Sequence, residues 1–216
     1  MCGGFTLTKD IKKVAVRFGA AAPKKGMSPR FNARPKQEMP VILGSDPGRI
    51  RVARWGILPA WAKKHGKHAQ LINVRIESAG KFAFKRDFGE RRCLIPADGF
   101  FEWEETVSGK QPHYFRLKSG EPFAFAGIWE EDEDLQEPTF AILTTEPNEL
   151  VGRIHNRMPV MLKPEFEREW LASGKDVIEL VGKLKPYPAK EMVEYKVSRD
   201  VNVPVNDSPE LLEPVS

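Results

Sequence analysis

A single α+β domain dominated by a folded-over, barrel-like antiparallel sheet is the fold this 216-residue sequence predicts. Three observations predict it. Short runs of β-branched and aromatic residues recur along the chain, many of them bounded by Gly or Pro. Helical periodicity is confined to three short stretches. The 18 prolines are spread throughout, which favours short strands and irregular connections over long helices.

In chain order, Ile11, Val14, Ala15 and Phe18 recur at helical spacing, so residues 9–19 form an amphipathic helix. Strand-like runs follow at Arg49–Trp55, Arg91–Pro96, Phe100–Glu104, His113–Leu117, Pro122–Gly127, Thr139–Thr145 and Met158–Leu162. Glu165–Leu171 and Val177–Leu184 return to a helical pattern. There is no internal repeat and no linker rich enough in Gly or Ser to split the chain, so residues 1–216 are expected to be one domain. Residues 205–216, rich in Pro and acids, are expected as a loose C-terminal tail.

Composition narrows the function classes. The chain is 41% hydrophobic and 30% charged, as a soluble globular protein is. No apolar run approaches the ~20 residues that span a bilayer, and the first residues lack a basic-then-apolar signal pattern. A cytoplasmic protein without a membrane partner is therefore expected. Two cysteines exclude a disulfide framework as the organising principle. A net charge of +4 permits a polyanionic partner without requiring one. Glu130–Asp134 reads as a solvated hairpin loop between two strands. Lys63–His68, just after Trp55 and Trp61, can bind phosphates while the rings stack on bases, or can be an exposed loop beside core tryptophans. His65 and His68 have no Cys or acidic companion at metal-ligand spacing, so no metal is expected.

The chemistry-bearing residues start at Cys2. Removal of Met1, normal when a small residue follows, leaves an N-terminal cysteine with two nucleophiles. The amine has a reference pKa of about 8 and the thiol about 8.5. Such a 1,2-aminothiol condenses with an aldehyde to a thiazolidine ring, which an internal cysteine cannot do. The alternative is that position 2 is simply whatever follows the start codon. In Leu71–Ser78, Asn73, Arg75 and Glu77 share one strand parity. In Ile95–Trp103, Glu102 sits among aromatics, where desolvation raises a carboxyl pKa toward the range of proton transfer. In Gly152–Val160, His155 stands beside Arg153 and Arg157 before an apolar strand. Singly, each has a structural reading: Asn73 as a turn-capping amide, Arg75 as an ion-pair partner, Glu102 as the exposed side of a strand, His155 as a core histidine. Together they supply a nucleophile, an orienting amide, a carboxylate base, an imidazole and cations for an anion.

These segments together resemble the SRAP family, the SOS response-associated peptidase or abasic-site processing proteins. The likeness rests on Met1-Cys2-Gly3, Trp55-Gly56 with Pro59-Ala60-Trp61, Asn73–Glu77, Arg92–Trp103 and His155–Val160, with Val197-Ser198-Arg199 as a further element. Their order and spacing match over nearly the whole chain. The resemblance implies a pseudo-barrel α+β domain, acting as a monomer without a cofactor. It implies shielding of abasic sites in single-stranded DNA by a covalent bond to Cys2, with lyase activity and self-release of Met1 as companions. By the same resemblance Asn73, Glu102 and His155 complete the site, Arg75 and Arg157 hold DNA phosphates, and Trp55, Pro59 and Trp61 shape the DNA-binding face. A prokaryotic member would work at the nucleoid. One position departs from the pattern: the family usually has Met-Cys-Gly-Arg, and this chain has Gly4. Two other classes compete on the residues alone. A glutamine amidotransferase or other N-terminal nucleophile hydrolase would release ammonia from glutamine. A non-catalytic nucleic-acid-binding module would be indifferent to loss of Cys2.

Overall fold

The computed structural model describes residues 2–24, 26–59, 62, 70–81, 84–132 and 137–215. Its elements are β1 (Phe5–Leu7), α1 (Ile11–Phe18), β2 (Arg30–Ala33), β3 (Glu38–Leu43), β4 (Asp46–Trp55), β5 (Asn73–Arg75), α2 (Lys85–Glu90), β6 (Arg92–Ala97), β7 (Gly99–Thr106), β8 (Gly109–Leu117), β9 (Phe123–Glu130), β10 (Thr139–Thr145), β11 (Met158–Pro159), β12 (Met161–Leu162), α3 (Pro164–Leu171), α4 (Val177–Lys183) and β13 (Met192–Lys196), with 3-10 turns between some of them. The α+β, β-rich class predicted from the sequence is the class observed.

The larger sheet closes on itself. β4, β3, β6 and β9 pair antiparallel in that order, and β10 pairs with both β9 and β4. That ring of five strands is the barrel. The smaller sheet runs β13-β8-β7-β1-β2. The two share one apolar interior, in which Phe5 lies edge-on to Trp55 and Phe125 at 5.1 and 5.8 Å, and Phe100 stacks on Phe115 at 5.0 Å. Edge-to-face contacts of this kind add to the burial of the rings themselves.

The pivot between the sheets is Asp98. The chain leaves the barrel at the end of β6 and enters the smaller sheet at Gly99. Asp98, almost fully buried, accepts from Thr6 Oγ1 at 2.6 Å, Thr8 N at 2.6 Å and Thr8 Oγ1 at 2.7 Å. Thr6 Oγ1 also bonds the Tyr114 hydroxyl at 2.9 Å. This network ties β1, and hence the N-terminus, to the sheet junction. Gly99 is required by it, because a Cβ there would lie 2.1 Å from the Tyr114 hydroxyl. Gly99→Ala is therefore expected to destabilise the protein by about 1–3 kcal/mol, the usual cost of overpacking. A urea midpoint lowered at unchanged slope checks it.

Four sequence expectations are corrected here. Met158–Leu162 is not one strand: β11 pairs with β10, β12 pairs with β9, and Val160 crosses between them, donating to Leu143 O and accepting from Ala126 N. The Leu71–Ser78 strand shortens to β5, and Glu77 lies on a 3-10 turn. Glu130 is not part of a solvated loop but the buried end of β9, paired with Thr139; residues 133–136 lie outside the described residues. The 205–215 segment is not loose. Asp207 accepts from Phe31 N and Asn32 N, Leu211 is buried with Phe101, Tyr114, Val197 and Val201, and Val215 N bonds Lys196 O at 3.0 Å. The physical reason is that the outer face of β7 and β8 carries apolar side chains of its own and needs a cover.

Candidate active site

Strand β10 assembles the site. The first part of its length is flanked by β4 and β9. Beyond them, β5 runs parallel to it with Asn73 opposite Ile142, and β11 pairs with Thr144 and Thr145. Residues 73 and 155–157, some eighty positions apart in the chain, are thereby brought to one end of the barrel. Arg157 locks them. Its guanidinium grips the Glu77 carboxylate in a two-point pair at 2.7 and 2.9 Å and donates to Thr144 O at 2.6 Å.

The N-terminal segment enters from the smaller sheet. β1 pairs with β7 as Phe5 opposite Phe100 and Thr6 opposite Gly99, and Phe101 N bonds Gly4 O at 2.9 Å. Continuing that register toward the terminus carries Gly3 alongside Glu102. Asn73 Nδ2 donates to Cys2 O at 2.8 Å, so the amide fixes the Cys2 backbone. Asn73 Oδ1 is buried without a hydrogen-bond partner among the described residues, an acceptor left open at the site.

The electrostatics follow from burial. Cys2 is fully buried, with Sγ 3.5 Å from Gly4 O. Burial pushes its thiol pKa far up, and the neighbouring Glu102 carboxylate pushes it further, so the resting sulfur keeps its proton. Glu102 is 1% exposed, and burial raises its carboxyl to about 7. Burial lowers the His155 pKa, favouring the neutral ring. Its Nδ1 accepts from Arg157 N at 3.0 Å, which leaves the proton of the neutral ring on Nε2. The Arg157 carbonyl stands 3.1 Å from the same nitrogen and can accept from it when the ring is charged. Asn148 holds the loop that delivers His155. Its Oδ1 accepts from Leu150 N and Val151 N, and its Nδ2 donates to Tyr187 O at 2.6 Å.

Glu102 and His155 line one open cleft of about 740 Å³ with Gly3, Arg34, Trp103 and Lys110. Cys2, Asn73, Glu102 and His155 thus meet at one end of the fold. The expected DNA-contacting residues separate into three groups and one residue, Trp61, outside the described residues. Arg75 is exposed, and its side chain makes no hydrogen bond or ion pair among the described residues. Arg157 is already committed to Glu77 and Thr144. Trp55 and Pro59 are buried. Trp55 packs between Phe5 and Phe140 and donates to Ile72 O, the residue before Asn73, so it supports the site from beneath. Trp61 and residues 63–68 lie outside the described residues. Among the described residues no group of His, Cys, Asp and Glu is placed to hold a metal, and no helix is long and apolar enough to cross a membrane. Two contributors escaped the sequence reading: Asn148, whose Asn-x-Leu-Val context is an ordinary turn signal, and Arg34, which had no motif around it.

The family model described as SOS response associated peptidase (SRAP) matches residues 1–204. Abasic site processing protein YoqW of Bacillus subtilis (strain 168) is 40% identical over 223 residues, covering 99% of both chains. Abasic site processing protein YedK of Escherichia coli (strain K12) is 33% identical, covering 86% of this chain and 85% of its own. A crystal structure of a Bacteroides thetaiotaomicron protein superposes with a TM-score of 0.86 at 25% identity and covers all of both chains. With the family model spanning all but the last residues and the likeness to the Bacillus protein running end to end, this chain belongs to the SRAP family.

Proposed function

We propose that this protein captures abasic sites in single-stranded DNA as a covalent thiazolidine on Cys2, after Met1 is removed. The observation that carries the reading is a buried Cys2, held at its carbonyl by Asn73 and neighboured by the Glu102 carboxyl, with that carboxyl, poised near neutrality, lining one open cleft with the His155 imidazole. The names of its relatives support the substrate class.

An abasic sugar interconverts between a closed hemiacetal and an open aldehyde. His155, with its proton on Nε2, donates to the ring oxygen and favours opening. Glu102 takes a proton from the Cys2 α-ammonium, and the amine adds to the aldehyde carbon. Glu102 passes that proton to the carbinolamine hydroxyl, which leaves as water to give a Schiff base and returns the carboxylate. The thiol then adds to the same carbon. Because burial holds the sulfur protonated, that proton must leave as the C–S bond forms, and Glu102 is the base with the matching pKa. The ring nitrogen regains a proton as the C=N bond becomes single. Ring closure is intramolecular, so proximity offsets several kcal/mol of the barrier. Asn73 holds the Cys2 carbonyl throughout.

Intact-mass analysis after mixing with an abasic oligonucleotide tests the reading. The expected product weighs the protein without Met1 plus the DNA minus one water. Recovery of unmodified protein and DNA would refute it. Arg75, exposed beside the site, is assigned to a backbone phosphate. Arg75→Ala is expected to weaken binding to intact single strands and to reduce the log–log salt slope by about 0.7. A salt titration of affinity checks it. Arg157→Ala, in contrast, is expected to act through loss of the Glu77 lock rather than through the salt slope.

A further inference from the structure

The departure at position 4 has a counterpart in space. Gly4 is buried, and a Cβ built there would lie 3.2 Å from Arg34 Nη1 and 3.3 Å from the Phe101 ring. Arg34 comes from a different element, the turn between β2 and β3, where its backbone N–H donates to Gln37 Oε1 at 2.9 Å and its carbonyl accepts from Gln37 N at 3.2 Å. Its guanidinium lies 5.0 Å over the Trp103 ring, donates to Gly3 O at 3.2 Å, and also bonds Val201 O. It lines the same cleft as Glu102 and His155.

We infer that Arg34 replaces, from the β2–β3 turn, the arginine that the family usually carries at position 4, and that it binds a DNA phosphate beside Cys2. The inference rests on the capture reading above for its substrate and on three physical points of its own. A guanidinium has five N–H donors, and two carbonyl bonds leave donors over. One of these, the buried Nε, has no partner. The Trp103 face fixes the plane of the fork, so little ordering remains when an anion arrives. And glycine at position 4 is the residue that leaves the fork room: an arginine side chain there would press on Arg34 and set two cations together in a half-buried site. Gly4 and Arg34 are therefore one exchanged pair rather than a lost contact. The charge also bears on the nucleophile, since Arg34 draws the Cys2 thiol pKa down against the larger effect of burial.

The test is a swap, read by salt titration of binding to an intact single-stranded oligonucleotide. Arg34→Gln, which can still donate to Gly3 O, is expected to weaken binding on the order of tenfold, the loss of one charge-assisted bond, and to reduce the salt slope by about 0.7. Arg34→Lys keeps the charge and is expected to keep the slope. Gly4→Arg alone is expected not to strengthen binding. Gly4→Arg combined with Arg34→Gln is expected to restore both slope and affinity. An unchanged slope in Arg34→Gln, a lost slope in Arg34→Lys with native circular dichroism, or a double variant no better than Arg34→Gln would overturn the inference. Adduct formation by the unaltered protein is measured alongside. If no adduct forms, the capture reading fails while the salt slopes still decide Arg34; if the adduct forms and the slopes do not move, the Arg34 assignment alone fails.

Discussion

Replacing Cys2 with alanine is expected to abolish the heat- and detergent-stable adduct with abasic single-stranded DNA. Alanine at the same position keeps a free α-amine after Met1 removal, so a Schiff base to the aldehyde can still form. That imine hydrolyses readily, because nothing traps it. Only the thiol closes the five-membered ring and converts a reversible link into a stable one. The variant is therefore expected to show no adduct after boiling, yet to be captured when borohydride reduces the imine in place. Because Cys2 packs in the interior with Phe5 and its neighbours, circular dichroism must confirm the fold. Equal stable cross-linking by the alanine variant would refute the ring-closure mechanism and favour a module in which the cysteine is incidental.

Glu102→Gln is expected to slow adduct formation by about 10²–10⁴-fold, the range for loss of a general base. The effect has a pH signature. Burial holds the Glu102 carboxyl at about 7, so the rate in the unaltered protein should rise as pH passes through that value and the carboxylate appears. The glutamine variant should lack that limb. Stability should move the other way. The folded carboxyl titrates near 7 and the ordinary one near 4.5, so the folded state holds a proton that the unfolded state has released between those values. The associated stability is fully present below about pH 4.5 and is lost as pH rises through about 7. Glutamine does not titrate, so the variant should be slower and yet lose less stability on going from pH 5 to 8. Denaturation at both pH values, together with the rate profile, separates this from a merely structural role. His155→Ala should slow the reaction without removing the Glu102 limb. An unchanged rate in both variants with native folds would return both residues to the scaffold.

The class of fold, six of the strands and three helices could be read from the chain because their signals are local. Alternation, helical spacing and Gly or Pro at the ends act over a few residues. Thr139–Thr145 was legible to the residue, being an apolar core flanked by β-branched threonines with turn signals on both sides. β1, β2 and β13 were not, because short strands carry too few residues for a period and are held by pairing with distant partners. The tail was misread for the same reason. Its composition is that of a loose segment, and only the apolar outer face of β7 and β8 makes it a cover.

The candidate site divides along the same line. By itself the sequence determined the chemical inventory: an N-terminal cysteine, an amide, a carboxyl among aromatics and an imidazole, in an order that resembles one family. Residue types are local properties, and a motif preserves them. The tertiary structure alone decided how that inventory is deployed. It brought residues 73 and 155–157 together on the two edges of β10, committed Arg157 to Glu77, turned Trp55 inward and set Arg34 against Gly4. Each of these is a contact between segments distant in the chain, where the deciding quantity is which groups lose water together. Charge alone could not say whether an arginine faces solvent or a carboxylate. A tryptophan buries its ring or exposes it according to the partners that closure of the barrel supplies.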